Sequence, residues 1–211
     1  MARSKPYRVG VIGAGAIAQA CHLPGYAASP YADLVAFADP VKARHNEVRK
    51  QWSDAVGYTD AAEMLEAERL DVVSVCTPNY LHAPNTIAAL EAGCHVLCEK
   101  PIATTLAEAD RMIGAAKTAR KKLMVGFTHR LLSGPRHCKQ LLRERTLGTP
   151  FMIRVRFAHG GPYPGWAKGR WFYDPKQAAG GALLDMGIHA IDQCLWLLGP
   201  IVSVSAQTAT I

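Results

Sequence analysis

The sequence predicts an α/β protein whose N-terminal part is a doubly wound parallel sheet, and three observations support this. Short β-branched runs alternate with helical patterns, as in βαβ units. The runs are apolar almost throughout, which indicates burial on both faces. A glycine-rich turn directly follows the first run. The predicted strands are Tyr7–Ile12, Leu34–Ala38, Val72–Cys76, His95–Cys98 and Leu123–Phe127, with helices near 16–28, 41–52, 60–68, 82–92 and 105–120.

The pattern changes after residue 129, and we place a domain boundary between residues 129 and 130. A helix is predicted over Leu131–Leu147, and Phe151–Ala158 alternates apolar and basic residues as a half-exposed strand does. A loop rich in glycine, proline and aromatic residues follows, then a further helix, and then a strand pattern over Ile201–Ile211. Because two strands make only a marginal sheet, we expect residues 130–211 to be part of an incomplete α/β domain.

Composition indicates a globular protein with no nucleic-acid or membrane partner. The formal net charge is +7, but the basic runs at 117–122 and 136–145 lie on predicted amphipathic helices. No nucleic-acid motif accompanies them, so we interpret both as solvated helix faces. No segment approaches the roughly 18–20 apolar residues that cross a membrane. The N-terminus lacks the apolar region and cleavage site of a secretory signal.

Six cysteines are present, and three of them fall in predicted strands or a core helix. This pattern is typical of reduced, buried thiols and predicts a cytoplasmic protein. Cys94 and Cys98 flank His95. This run is a predicted strand without a second ligand pair, so we expect no metal site there.

The run VGVIGAGAIA at 9–18 places Gly13 and Gly15 directly after the first strand, with Ala18 in the pattern GxGxxA. The first glycine permits a tight turn, the second lets the backbone approach a pyrophosphate, and the small third residue lets helix and strand pack closely. The helix N-terminus would offer unpaired N–H groups to the phosphates. We therefore predict dinucleotide binding by Gly13, Gly15, Ala16 and Ile17, and the alternative is a tight turn alone.

Asp39 ends the second predicted strand, where an acid can bind the ribose hydroxyls of NAD and disfavour the 2′-phosphate of NADP. The alternative is an N-cap for the helix after Pro40. Lys42 and Arg44 lie close enough in sequence to accommodate a phosphate. We favour NAD as the cofactor and leave NADP possible.

Polar residues also follow two later strands. Thr77, Pro78 and Asn79 follow one strand, at the edge where ligands bind in such sheets, and a turn or cap is the alternative. Glu99 and Lys100 end another. A lysine directed into a cleft can hold a substrate hydroxyl and complement a developing alkoxide, although a surface lysine is the alternative.

The stretch GGALLDMGIHAID at 180–192 predicts a helix on which Asp185, His189 and Asp192 share one face. Leu184, Ile188, Ile191 and Leu195 form a neighbouring apolar stripe, which we expect to face the core. Taken alone, the acid–imidazole pair is either a structural pair or the acid–base part of a site.

Together these motifs resemble the Gfo/Idh/MocA oxidoreductases. GxGxxA, the acid after strand two, CTPNxxH, EKP, GFxxR and the GG…DxxxH helix occur in order along essentially the whole chain. The resemblance implies a Rossmann domain followed by an α/β domain with an open-faced, mainly antiparallel sheet. It also implies that His82 and Glu99 lie along the cofactor with the residues above. Thr128 departs from the asparagine commonly found there.

The resemblance further implies catalytic roles for Lys100, Asp185 and His189, with His189 as the proton acceptor. It implies a substrate contact for Arg130. Lys100, Asp185 and His189 would also bind substrate. Further candidate substrate contacts, on the long loop, are Tyr163, Trp166, Arg170 and Trp171, and the alternative for the aromatic residues is packing between the domains.

The activity implied is hydride transfer between nicotinamide and a secondary alcohol of a sugar, sugar derivative or inositol. Two alternatives stay open: an NAD-dependent glycosidase that oxidises C3 transiently, and a non-catalytic dinucleotide- or sugar-sensing regulator. Family members are considerably longer, so we expect this chain to be a fragment. We expect the full-length form to be a homo-oligomer.

Overall fold

The computed structural model describes residues 5–156 and 170–207. These residues form two compact units, one made of residues 5–126 and 170–179 and the other of residues 127–156 and 180–207. Within the described ranges, no helix has the length and apolar character needed to span a membrane.

The first unit contains a six-stranded sheet in the order β3-β2-β1-β4-β5-β6, and every neighbouring pair is parallel. This is the order of a doubly wound dinucleotide-binding sheet, in which successive strands are added first on one side of β1 and then, from β4 onward, on its other side. The predicted parallel sheet is confirmed. The strands are β1 Tyr7–Ile12, β2 Ala32–Ala38, β3 Val56–Tyr58, β4 Val72–Val75, β5 His95–Cys98 and β6 Leu123–Val125.

Helices connect these strands, and three helices of this unit begin with side-chain caps, at Asp60, Thr105 and Asp174. The Asp60 carboxylate accepts hydrogen bonds from the N–H groups of Ala62 and Glu63, and the Thr105 hydroxyl accepts one from Glu108 N–H. A π-helical turn, Ala18–His22, precedes the first α-helix. The α-helices of this unit are α1 Leu23–Ala27, α2 Lys42–Arg49, α3 Ala61–Ala67, α4 His82–Glu91, α5 Leu106–Thr118 and α7 Pro175–Ala178.

Two separate clusters of buried side chains cover the sheet. Met64, Leu90 and Met112 bring α3, α4 and α5 onto one cluster. Leu23 and Val48 bring α1 and α2 onto the other. The apolar strands are therefore covered by helices on both faces, as their composition predicts.

The second unit holds α6 Ser133–Arg143, a π-helical turn Leu183–Gly187 and α8 Ile188–Leu198. The Lys139 ammonium of α6 donates hydrogen bonds to the carbonyls of Trp196 and Leu197 at the end of α8. A cation at these carbonyls also complements the negative end of the helix dipole.

The antiparallel sheet expected in this unit is not confirmed. Residues 151–156 and 201–207 form no strand, while the rest of both predicted strands lies outside the described residues. A strand is defined by a ladder of hydrogen bonds to a neighbour, and neither stretch has such a partner in the described part of the unit. Their apolar side chains are correspondingly exposed, as at Phe151 and Val202.

Candidate active site

The glycine loop follows β1 closely. Gly13 has a φ of +89°, and a Cβ atom there would lie 2.8 Å from the Cys76 carbonyl carbon and oxygen. Only glycine meets both demands. Gly15 differs, because a Cβ atom added there would meet no heavy atom within 4 Å. The chain turns helical at the next residue, and Ala16 and Ile17 are exposed at that helix start.

Asp39 lies at the carboxyl end of β2 and is almost completely buried. Its Oδ2 accepts hydrogen bonds from Ala14 N–H at 2.9 Å and from the Arg44 guanidinium at 2.8 Å. Its Oδ1 accepts one from Val41 N–H at 2.9 Å. The carboxylate therefore ties the glycine loop to the end of β2. Since a carboxylate has about four acceptor sites, about one is left for a ribose hydroxyl.

The end of β4 is braced by two side chains. Asn79 Nδ2 donates to the Ala178 carbonyl at 2.8 Å. The His82 ring is fully buried, with Nδ1 2.6 Å from the Pro101 carbonyl and Nε2 3.0 Å from the Thr77 carbonyl. Burial lowers the pKa of His82, although both carbonyls oppose that effect. His82 thus joins the ends of β4 and β5, and its contact with a cofactor stays a prediction.

Glu99 and Lys100 lie at the carboxyl end of β5, and the Lys100–Pro101 peptide is cis. The Glu99 carboxylate accepts a hydrogen bond from Lys100 N–H at 3.1 Å and contacts His22 Nε2 at 2.9 Å. Burial alone would raise the pKa of Glu99. The hydrogen bond and charge of His22, together with Lys100, outweigh burial and hold that pKa below its ordinary value.

Asp185 lies in the π-helical turn, and His189 lies in the first turn of α8. π-Helical turns interrupt the α-helical spacing and are frequent at functional sites. The prediction that Asp185 and His189 share one face assumed regular α-helical spacing, and the π-helical turn changes that spacing between them. The His189 ring stacks on His129 with centroids 4.1 Å apart and planes 13° apart, and the Phe127 ring meets it edge-on at 6.3 Å.

The polar face of α8 is buried and part of its apolar stripe is not, which corrects the expectation from sequence. His189 and Asp192 are both less than a tenth exposed, whereas Ile191 is 44% and Leu195 41% exposed. Two contacts within the unit accompany this burial, because the His189 ring stacks on His129 and the Asp192 carboxylate pairs with Arg130. Arg130 places Nε 2.8 Å from Asp192 Oδ2 and Nη2 2.5 Å from Asp192 Oδ1.

Arg130 is thus committed to an ion pair. Its guanidinium also lies over the Phe127 ring, 5.8 Å from the centroid. The hydrogen bond to Asp192 raises the pKa of Arg130 further. This pair supports a structural role for Asp192, and the substrate contact of Arg130 stays a prediction.

The predicted loop contacts are described only in part. Tyr163 and Trp166 lie outside the described residues, and Arg170 begins a 3₁₀ turn, Arg170–Tyr173. The Trp171 ring meets the Phe172 ring at 5.0 Å and 63°. Lys100 belongs to the first unit, while Asp185 and His189 belong to the second.

Comparison with known families decides the affiliation of the chain. The profile described as "Oxidoreductase family, NAD-binding Rossmann fold" matches residues 7–127, and the "GFO/IDH/MocA C-terminal domain" profile matches residues 136–211. The chain belongs to the GFO/IDH/MocA oxidoreductase family. Its first unit is accordingly an NAD-binding Rossmann domain.

Curated relatives of the chain include a sugar and an inositol dehydrogenase. D-glucoside 3-dehydrogenase of Escherichia coli (strain K12) is 35% identical over 93% of this chain and 55% of its own length. Myo-inositol 2-dehydrogenase of Thermotoga maritima is 32% identical over 91% of this chain and 55% of its own length. The chain therefore spans about half the length of these relatives.

Solved structures of similar fold also contain NAD. GenD2 from gentamicin A biosynthesis, in complex with NAD, has a TM-score of 0.84 at 28% identity, covering 92% of this chain and 54% of that one. Scyllo-inositol dehydrogenase from Lactobacillus casei, with bound NAD(H) and scyllo-inositol, has a TM-score of 0.81 at 27% identity, covering 92% and 57%.

Two features of this GFO/IDH/MocA chain suit the binding of an NAD molecule. The open side of Gly15 gives a pyrophosphate access to the backbone, with exposed helix-start residues beside it. The Thr77 hydroxyl, at the edge where ligands bind in such sheets, is buried without a hydrogen-bond partner among the described residues. An unsatisfied buried hydroxyl is costly, so a ligand that pairs with it is favoured.

Sequence reasoning did not single out two histidines that contact candidate site residues. His22 contacts Glu99, which is 77 positions away along the chain. His129 stacks on His189, 60 positions away. His129 lies within the GFxxR motif, which offered a signal, whereas His22 lies four residues beyond the GxGxxA motif and had none.

Proposed function

We propose that this chain carries the cofactor site and catalytic residues of an NAD-dependent dehydrogenase that reversibly oxidises a secondary alcohol of a sugar, sugar derivative or inositol. The observation that carries the proposal is the glycine loop, in which Gly13 is sterically obligatory and Gly15 is open to a ligand. The dehydrogenase names of the relatives support the substrate class.

The cofactor would be held along the carboxyl edge of the parallel sheet. The loop amides and helix start would face the pyrophosphate, and the remaining acceptor site of Asp39 would face the adenosine ribose. We prefer NAD to NADP because Arg44, one of the two nearby cations, is already paired with Asp39. The proposed contacts are Gly13, Gly15, Ala16, Ile17, Asp39, Thr77, Pro78, Asn79, His82, Glu99 and Lys100.

Bound nicotinamide supplies the hydride acceptor. His189 would take the hydroxyl proton during oxidation and return it during reduction, because imidazole titrates near neutral pH. Asp185 would orient the imidazole or bind an adjacent hydroxyl. The Lys100 ammonium would hydrogen-bond the reacting oxygen and stabilise its negative charge.

Substrate contacts beyond these three residues are proposed for Trp166, Arg170 and Trp171. The proposal for Arg130 is narrower, because its fork is bonded to Asp192. We propose that Arg130 acts on substrate with its remaining donors, since a guanidinium has five N–H groups in all.

We also propose a cytoplasmic location, on the chemistry of the thiols. Cys76, Cys94 and Cys98 are buried and free, and burial raises the pKa of Cys98 to about 12. Such thiols are inert and suit a reducing compartment. The domain boundary at 129/130, a homo-oligomeric full-length form and the absence of nucleic-acid partners stay predictions.

The test is to purify the 211-residue chain, measure NAD and NADP affinity by calorimetry, and screen inositols, hexoses, sugar acids and aryl glycosides for NADH formation. Lys100→Met and His189→Ala should lower kcat by at least about a hundredfold, the usual size of an acid–base contribution. Lys117→Met and His137→Ala, both on exposed helix faces, are the matched controls. Turnover that survives in both active-site variants would make the assignment wrong.

A further inference from the structure

A buried polar cluster lies behind the β5 end of the proposed site. His22 places Nδ1 3.1 Å from Ser74 Oγ and Nε2 2.9 Å from Glu99 Oε1. The Tyr26 hydroxyl lies 2.6 Å from the same Ser74 Oγ. The His22 and Glu99 side chains are 8% and 11% exposed. These four groups therefore satisfy one another in a largely dry environment.

The cluster has the composition of a nucleophilic triad, but its burial excludes that role. Ser74 lies inside β4 with no exposed surface, so its hydroxyl meets no substrate. Burial, the largest effect, also raises the pKa of Tyr26, which keeps that group a neutral phenol. The cluster is therefore a structural arrangement of hydrogen bonds.

The donors in the cluster are directed toward Glu99. An ionised carboxylate only accepts hydrogen bonds, so the proton on Nε2 of His22 points at Glu99. On the other side of the ring, His22 Nδ1 pairs with Ser74 Oγ, and Ser74 Oγ pairs with the Tyr26 hydroxyl. Each polar group then has a partner, which is the condition for a buried network to make a structure rigid.

The cluster joins two parts of the proposed site. His22 is the last residue of the π-helical turn that follows the glycine loop. Glu99 holds the Lys100 amide through its second oxygen, Oε2, at 3.1 Å. Gly126 leaves room for this arrangement, because a Cβ atom there would lie 3.2 Å from Glu99 Oε1. A continuous path of contacts thus runs from the helix of the glycine loop to the backbone of Lys100.

We propose that His22 is a positioning residue, which acts through the Glu99 carboxylate to fix the backbone from which Lys100 projects and to couple it to the helix of the glycine loop. The catalytic consequence rests on the proposed function, since it requires Lys100 to act in the reaction. The fixing of the Lys100 backbone does not.

Two substitutions distinguish the Nε2 contact of His22 with Glu99 from its Nδ1 contact with Ser74. His22→Gln keeps an N–H donor near the position of Nε2, facing Glu99, whereas His22→Asn keeps a polar group near Nδ1 and loses the donor to Glu99. His22→Leu removes both. His137→Leu, on the exposed part of α6, is the matched control.

The first readout is hydrogen exchange of the Lys100 amide, followed by NMR on the full 211-residue chain without cofactor or substrate. Exchange should accelerate about tenfold in His22→Asn and His22→Leu, because the acceptor of this amide loses its anchor. It should stay within about threefold of wild type in His22→Gln and His137→Leu. Amides within β1 should be unchanged throughout.

The second readout is turnover with the substrate found in the screen. His22→Asn should lower kcat by about tenfold with KM for NAD changed less than about twofold, and His22→Gln should restore most of kcat. If His22→Leu does not fold, the comparison of Gln with Asn carries the test by itself.

The outcomes distinguish the two proposals. Equal Lys100 exchange in wild type, Gln and Asn chains overturns the positioning role, whatever the activity. A chain that shows the exchange pattern but oxidises no substrate overturns the proposed function and upholds the positioning role. If kcat falls in His22→Asn and His22→Gln does not restore it, the positioning role of His22 is overturned.

Discussion

Arg130 and Asp192 form a two-pronged ion pair within the second unit, with Nε–Oδ2 at 2.8 Å and Nη2–Oδ1 at 2.5 Å. The Asp192 side chain is buried and the Arg130 side chain is 41% exposed. The two partners are therefore not equivalent. Removing Arg130 strands a buried charge, whereas removing Asp192 leaves an arginine that water can reach.

We expect Arg130→Ala to lower the free energy of unfolding by about 2 kcal/mol, because it leaves the buried Asp192 carboxylate unpaired while the exposure of Arg130 makes the loss smaller than in a fully buried pair. Arg130→Lys should recover only part of this, because an ammonium cannot form the fork. Urea unfolding followed by circular dichroism measures the effect, with Arg136→Ala on exposed α6 as the control. An Arg130→Ala chain as stable as wild type would show that Asp192 finds another partner.

We expect His129 to assist catalysis by stacking on His189 and restricting the orientation of its imidazole ring. The stacked ring limits the planes that His189 can adopt, and such contacts contribute about 0.5–1.5 kcal/mol. We expect His129→Ala to lower kcat by about tenfold, and His129→Phe, which keeps a flat ring, to lower it less. Steady-state kinetics on the substrate of the proposed reaction checks this. Equal kcat in the two variants would contradict it.

The two loop glycines should fail in different ways when changed to alanine. Gly13→Ala should destabilise the fold, because its Cβ would lie 2.8 Å from Cys76 backbone atoms at a φ of +89°. Gly15→Ala meets no protein atom within 4 Å, so it should keep the stability and weaken NAD binding.

We expect the Kd for NAD to rise at least about tenfold in Gly15→Ala, because the methyl group occupies the approach to the backbone. Calorimetric titration and thermal unfolding of the same samples separate the two effects. Gly114→Ala, an open position inside α5, is the control and should leave the Kd unchanged. Unaltered NAD affinity in Gly15→Ala would rule out this loop as the pyrophosphate site.

Glu99 should give the fold a dependence on acid pH. Its pKa in the folded chain lies below the ordinary value of 4.5. Its contribution to stability is therefore fully present above that pH and is lost as pH falls through the folded pKa. Between about pH 6 and pH 3, the free energy of unfolding should fall more steeply in wild type than in Glu99→Gln. Parallel curves would contradict the pKa assignment.

Local sequence patterns predicted the long elements of the first unit well, because β-branched runs and helical periodicity are themselves the cause of those elements. They missed β3, whose three residues Val56–Tyr58 include Gly57 and are too short for a period. Gly57 is needed there because a Cβ atom would lie 2.7 Å from the Phe37 ring. Such a constraint comes from tertiary packing and has no local signature.

The motifs of the candidate site could be predicted from the sequence, but the side-chain contacts of their residues could not. Spacing placed Asp192 beside His189, but nothing local indicated that Arg130 would hold it or that Ile191 would face solvent. Burial of a polar helix face depends on groups that arrive from elsewhere in the chain. The same applies to His22, whose connection to Glu99 exists only once β4 and β5 lie side by side.

The strand order gives cofactor binding a meaning for folding as well as for catalysis. β1, β2 and β3 are contiguous neighbours, as are β4, β5 and β6, and within the sheet these halves are joined by the pairing of Val9–Ile12 with Val72–Val75. The Gly13 turn lies against Cys76 and Thr77 directly beyond that join. The proposed NAD contacts are divided between the halves, with Gly15 and Asp39 in one and Thr77 in the other, so a chain that has assembled only one half holds only part of the proposed site. The affinity for NAD therefore reports whether the two halves of the sheet have assembled.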